Sequence, residues 1–223
     1  MSINGVIFDF NGTLFWDTEK NDVAWRQIAK NLSGKEITDE EFKNLHGKTN
    51  SDTIEHLTGK KPDNETLNKV VQEKESLYRD LCKQDSENFK LAPGATEFLD
   101  FLKEKNIPVT IATSSEITNL RFFIKEFDLK NWFDISKIVF DDGTFKGKPE
   151  PDIYIKAAKA IDIPTEECLI FEDAISGITS ARKAGVGKII AVSSANNYEA
   201  LKKAEGVNEV IKDFYQVNKD YFQ

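Results

Sequence analysis

Two short stretches carry acids where chemistry could be done: "DFNGT" at 9–13 and "FEDA" at 171–174. Asp9 ends one apolar run, and the pair Glu172-Asp173 ends another. Further along lie Thr113-Ser114-Ser115 after "IPVTIAT", Asp141-Asp142 after "SKIVF", and Lys148 within "GKPEPD". Acids, hydroxyls and one lysine fit phosphoryl transfer, which needs an in-line nucleophile, a divalent cation and donors around the equatorial oxygens. Asp9 is the candidate nucleophile, able to share a hard Mg²⁺ with Asp173 or Glu172 through oxygen ligands. Thr113 can donate a hydrogen bond, and Lys148 supplies a fixed positive charge.

Other motifs fail on spacing. "HGKTN" at 46–50 holds Gly-Lys-Thr, but a phosphate-cradling loop needs glycine five residues earlier, where Phe42 stands. "DFNGT" has its glycine fourth, whereas a calcium loop of the EF type needs it sixth. There is no GxSxG, and His46 and His56 lack metal-ligand spacing. Cys82 and Cys168 are far apart and read as free thiols rather than a disulfide or a zinc site.

The acids must be held by something, and the rhythm of the chain says what. Apolar runs at 5–10, 107–113, 136–140, 168–173 and 187–194 read as buried parallel strands. Helical patterns fall at 95–105, 117–127, 151–161, 174–184 and 198–204, so strand and helix alternate. The expected fold is α/β, a doubly wound parallel sheet with right-handed crossovers, and its ligands bind beyond the carboxyl ends of the strands. Residues 17–88 break the rhythm with helix after helix, which reads as a small all-helical cap inserted after the first strand. The expected domains are an α/β core of 1–16 and 89–223 and a helical cap of 17–88.

Composition narrows the class. With 223 residues, 39% hydrophobic and 30% charged, the chain has the profile of a globular protein with one sizeable core and an insertion. A net charge of -8 argues against a nucleic-acid partner. No apolar run is long enough for a membrane span and no leader pattern opens the chain, so the expected compartment is the reducing cytoplasm. A monomer acting on a small molecule is expected.

These motifs resemble a known family. "DFNGT", "IATS", "KPEPDIY" and "FEDAISGI" are similar, in this order, to the four motifs of the haloacid dehalogenase superfamily of phosphohydrolases. The helical insertion and the paired acid "FED" look most like its β-phosphoglucomutase-like branch. The resemblance implies a Rossmann-like core, Mg²⁺ as cofactor, a small phosphorylated metabolite as substrate and an aspartyl-phosphate on Asp9. It further implies Mg²⁺ on Asp9, the backbone carbonyl of Asn11 and Asp173, with Glu172 as a further ligand or behind the first ring. Thr113 and Lys148 would hold the transferring group, with Ser114 beside them and Lys48, Arg79 and Asn21 reaching the substrate from the cap.

The departures matter as much. Family phosphatases usually carry a second Asp at the position of Asn11, which moves a proton to the leaving alcohol and from the attacking water. An amide can hydrogen-bond but cannot exchange a proton near neutral pH. Its substitution should slow ester hydrolysis by part of the roughly 10²- to 10⁴-fold that acid-base help supplies. Asn21 stands for the cap histidine of a family mutase, and Asn50 for the arginine of its cap loop. The expected function is therefore a Mg²⁺-dependent phosphatase, ahead of a phosphomutase and of an impaired phosphate-binding protein.

Overall fold

The computed structural model describes residues 2–34, 36–45, 48–194 and 197–222, side chains 43 and 44 excepted; His46 lies outside them. Six parallel strands form one sheet: β1 (Gly5–Phe8), β2 (Val109–Thr113), β3 (Val139–Phe140), β4 (Cys168–Glu172), β5 (Lys188–Val192) and β6 (Glu209–Ile211). Their order is β3-β2-β1-β4-β5-β6. Strand β1 pairs with β2 on one side (Val6 opposite Val109) and with β4 on the other (Val6 opposite Leu169). The direction of winding reverses there, so the crevice at a topological switch point opens over the end of β1.

All four residues of β1 are buried, as a parallel strand covered on both faces requires. Alternation then sends Val6 and Phe8 into one core layer and Ile7 into the other. The first layer is phenylalanine-rich: Phe8 stacks on Phe171 with ring centroids 5.1 Å apart, and Phe98 and Phe214 close around them. The second is aliphatic, with Ile153, Ile170, Ile178 and Ile189. Helices α5 (Ala95–Glu104), α6 (Ile117–Glu126), α7 (Asp152–Ala160), α8 (Ile175–Lys183) and α9 (Tyr198–Lys202) connect and cover the strands.

Between β1 and α5 lie α1 (Thr18–Ser33), α2 (Asp39–Leu45), α3 (Asn50–Thr58) and α4 (Asn64–Gln84). Local signals set their limits: the Thr49 and Asp63 side chains cap α3 and α4, and left-handed Gly34 and Gly59 end α1 and α3. Trp25, Ile28, Phe42, Ile54 and Val70 form an apolar cluster of their own. Tyr78 and Cys82 near the end of α4 instead join the phenylalanine-rich layer. The two chain passages into and out of these helices meet where Phe15 bridges Leu91 and the Ala92 N–H donates to Leu14 O at 2.8 Å.

Two expectations need correction. The strand expected at 136–140 is only Val139–Phe140, because Asp134 accepts from the Ser136 N–H and turns Ile135–Lys137 into a 3₁₀ segment. Strand β6 was not expected: it has three residues at the sheet edge, too few and too mixed to show an apolar run. No helix among the described residues is long and apolar enough to cross a membrane.

Candidate active site

Asp9 follows directly on β1, its N–H donating to Phe171 O at 2.9 Å, so the sheet pairing carries it to the mouth of the crevice. The chain then turns through Gly12 at φ +80. A Cβ there would stand 2.1 Å from Asp173 Oδ2, so only glycine lets the turn lie against that carboxylate. The Thr13 hydroxyl donates to Asp173 Oδ1 at 3.2 Å from the same turn.

Lys148 is fully buried and divides itself between two acids, with Nζ 2.5 Å from Asp9 Oδ1 and 2.6 Å from Glu172 Oε1. Glu172 also accepts from the Tyr154 hydroxyl at 2.8 Å and, on its other oxygen, from the N–H groups of Asp173 and Ala174, both at 2.9 Å. Its four acceptor directions are thus occupied, and it acts on the Lys148 ammonium more readily than on a metal ion. Asp9 keeps one carboxylate oxygen without a partner among the described residues.

Electrostatics follow from this crowding. Burial pushes Asp9 up to about 7, against the pull of Lys148 and with a further push from Glu172. Asp173 is raised well above the carboxylate range by burial and by the Glu172 and Asp9 charges. Burial opposes the charge of Lys148, yet the Asp9 and Glu172 carboxylates win and hold the ammonium above its ordinary range.

Asn11 is locked. Its Nδ2 donates to Asp17 Oδ2 at 2.6 Å and lies 3.2 Å from the Tyr78 hydroxyl, while its Oδ1 accepts from Ser115 Oγ at 2.7 Å and from Thr113 Oγ1 at 3.4 Å. Asp17, itself buried, also accepts from Tyr78 and from the Gly12 N–H at 2.9 Å. Burial raises the Asp17 carboxyl, and the hydrogen bonds from Tyr78, Asn11 and Gly12 partly offset this.

A cavity of about 100 Å³ opens above these groups. Its floor includes Asp9, Asn11, Thr113, Ser114 and Asp173, and its opposite wall includes Asn21, Trp25, Lys48 and Asn50. Arg79 is not part of the lining: its Nη1 donates to Asn119 Oδ1 at 2.7 Å, which turns the guanidinium toward α6. Lys74 of α4 lines the cavity and was not singled out in the sequence. Asp17, Tyr78, Glu75 and Asn119 were equally missed; Asp17 could have been suspected from its place just before the first helix of the insertion.

Asp9, Glu172 and Asp173 place carboxylate oxygens within 4.8 Å of one another. Three acids against one lysine leave a net negative, oxygen-only donor set, which suits a hard divalent cation such as Mg²⁺. The close seat of the Gly12 turn against Asp173 keeps the chain that follows Asp9 beside that carboxylate.

The chain is similar to several known proteins. A phosphorylated carbohydrates phosphatase of Thermotoga maritima is 30% identical over 211 residues, covering 92% of this chain and 93% of that one. The β-phosphoglucomutase of Bacillus subtilis is 28% identical over 188 residues, 82% of this chain and 81% of that one. Among solved structures, a hydrolase of the haloacid dehalogenase family (family IA, variant 3) from Entamoeba histolytica superposes with a TM-score of 0.87 at 43% identity, covering 99% and 97% of the two chains. A β-phosphoglucomutase from Clostridium difficile does so with 0.77 at 26% identity, covering 99% and 96%. The model of the haloacid dehalogenase-like hydrolases matches residues 6–192. With the sheet order and the clustered acids, that match makes the chain a member of the haloacid dehalogenase-like hydrolase family, and an enzyme of its phosphohydrolase kind.

Proposed function

We propose that the protein is a Mg²⁺-dependent phosphatase of small phosphorylated metabolites, sugar phosphates among them, working through an aspartyl-phosphate on Asp9. The observation that carries this reading is the buried Asp9 at the switch point, one oxygen held by Lys148 at 2.5 Å and the other without a partner among the described residues, beneath the cavity. The held oxygen fixes the carboxylate plane, so the other can approach phosphorus in line. A new bond forms from Asp9 to phosphorus as the bond to the leaving oxygen breaks; water then attacks phosphorus and restores the carboxylate.

Lys148 and Thr113 stabilise charge on the transferring oxygens, and Glu172 keeps Lys148 between the acids. Mg²⁺ would be held by Asp9, Asp173 and the Asn11 backbone carbonyl, and when bound it neutralises the acids and the developing phosphoryl charge. Asn11 moves no proton. Its amide is tied to Asp17, Ser115 and Thr113, so good leaving groups should react first and the phosphoenzyme should persist. Residues 17–88 would serve as a cap hinged at the paired passages near Phe15 and Leu91, excluding water and reading the leaving group.

Phosphate release from acetyl phosphate and a set of sugar phosphates, with and without Mg²⁺, tests the reading in the native protein and in Asp9→Asn. Turnover that needs both Mg²⁺ and Asp9 supports it. Transfer between positions of one sugar without net release would make the protein a mutase, and tight Mg²⁺-dependent binding without turnover would make it a binder.

A further inference from the structure

Asn11 is followed by Gly12, the pairing in which a side-chain amide is most easily lost, and the structure surrounds that amide as an amide hydrolase surrounds its substrate. The carbonyl oxygen Oδ1 accepts from two hydroxyls, Ser115 Oγ at 2.7 Å and Thr113 Oγ1 at 3.4 Å. Donors on that oxygen draw charge off the carbon and stabilise the oxyanion that forms when it is attacked. The nitrogen Nδ2 lies 2.6 Å from Asp17 Oδ2, and the Tyr78 hydroxyl fixes the same carboxylate oxygen. A carboxylate so placed can pass a proton to a departing ammonia. The enclosure adds nothing to phosphoryl transfer, because an amide exchanges no proton near neutral pH whichever groups hold it.

Two nucleophiles compete for the amide carbon of such a pair. In an open chain the glycine nitrogen attacks, and the cyclic imide that results opens mostly to isoaspartate. Here that nitrogen is held: the Gly12 N–H donates to Phe15 O at 2.7 Å and to Asp17 Oδ1 at 2.9 Å, and the turn is seated against Asp173. Closing the ring would break both bonds and lift the turn. Water is the other nucleophile. Asn11 lines the cavity together with Ser115 and Asp17, so water entering there meets the amide with its donors and its carboxylate already in place.

We infer that Asn11 is a self-modification site, its amide hydrolysed by water within the folded protein to an aspartate of ordinary backbone linkage. The water oxygen bonds to Cγ as the Cγ–Nδ2 bond breaks. One proton of the water reaches the departing nitrogen by way of Asp17, the other follows from the new carboxyl group, and ammonium leaves. On the phosphatase reading above, the consequence is a proton-exchanging group at the position where the translated chain has none.

The test follows position 11 by peptide mass spectrometry in the native protein, Ser115→Ala and Asp17→Asn, each kept near neutral pH, and in native protein unfolded in urea. Separating aspartyl from isoaspartyl peptides identifies the route, and a variant that unfolds betrays itself by isoaspartate. In the folded native protein the amide is expected to become aspartate with little isoaspartate; conversion already complete on purification is the same result. Ser115→Ala should slow the conversion by about tenfold or more through loss of an oxyanion donor, and Asp17→Asn should slow it in the same direction. Phosphate release from an alkyl phosphate should rise in step by about tenfold, with acetyl phosphate nearly unaffected. An amide that survives in the folded protein while the urea-unfolded chain converts, a product that is mainly isoaspartate, or a rate unaltered in both variants overturns the inference. Conversion to aspartate without phosphate release from any substrate sustains it and overturns the phosphatase reading instead.

Discussion

The floor of the cavity and its opposite wall solve the same problem, buried charge, in opposite ways. On the floor, Lys148 is shared between Asp9 and Glu172, Glu172 has every acceptor direction filled, and Asp173 is clamped by the Gly12-Thr13 turn. On the wall, both Glu75 oxygens accept hydrogen bonds, while among the described residues the Lys74 ammonium has one acceptor for its three donors. A site that must repeat one reaction gains from groups that cannot move. A site that reads a leaving group gains from groups the substrate completes.

That contrast can be broken most severely at Asp9. Asp9→Asn should lower turnover by about 10⁴-fold or more, measured as phosphate release, because the amide is no nucleophile. Lys148→Met should cost about 10²- to 10³-fold in kcat. It should also lower the thermal midpoint of the metal-free protein, since Asp9 and Glu172 would then face each other without their shared cation.

Gly12→Ala should weaken Mg²⁺ binding, read by calorimetry, by about tenfold or more: its Cβ would fall 2.1 Å from Asp173 Oδ2, at a positive φ. Asn11→Asp should raise kcat on alkyl phosphates by about tenfold and leave acetyl phosphate nearly unaffected, because only the poor leaving group needs the proton. The new carboxylate would lie where Nδ2 now stands, 2.6 Å from Asp17 Oδ2, so the two would compete for one proton.

The smallest expected effect is on stability. Folding raises Asp9 from its ordinary value of 3.8 to about 7, chiefly by burial. Between those values the folded protein holds a proton that the unfolded chain releases, so stability is greatest below about pH 4 from this group and is lost as pH rises through 7. The charges of Lys148, Glu172 and Asp17 act on Asp9 within this site. Thermal melts of metal-free protein should therefore show this decline, and Mg²⁺ should raise the midpoint more at pH 8 than at pH 5.

The floor was legible in the sequence because strand ends in a parallel sheet converge. Asp9, Thr113, Lys148, Glu172 and Asp173 are spread over the chain, yet each follows an apolar run or a turn whose place in the sheet is implied. The helices of the insertion were legible from their caps and periodicity, but not how they face the sheet. Lys74 and Glu75 look like any charged helical pair, and only packing reveals that Trp25, Tyr78 and Asn119 enclose them. Arg79 lies one turn along α4, and only packing shows that it donates to Asn119 of α6. Strand β6 was hidden by its three-residue length.

The central claim is that Asp9 carries the phosphoryl group, and trapping it is the direct measurement. Native protein mixed with acetyl phosphate and Mg²⁺, quenched, reduced with borohydride and digested should yield a peptide in which Asp9 has become homoserine. Asp9→Asn should yield no such product. Continued phosphate release with no modification at Asp9, or with the modification on Asp173 or Glu172 instead, would contradict the account.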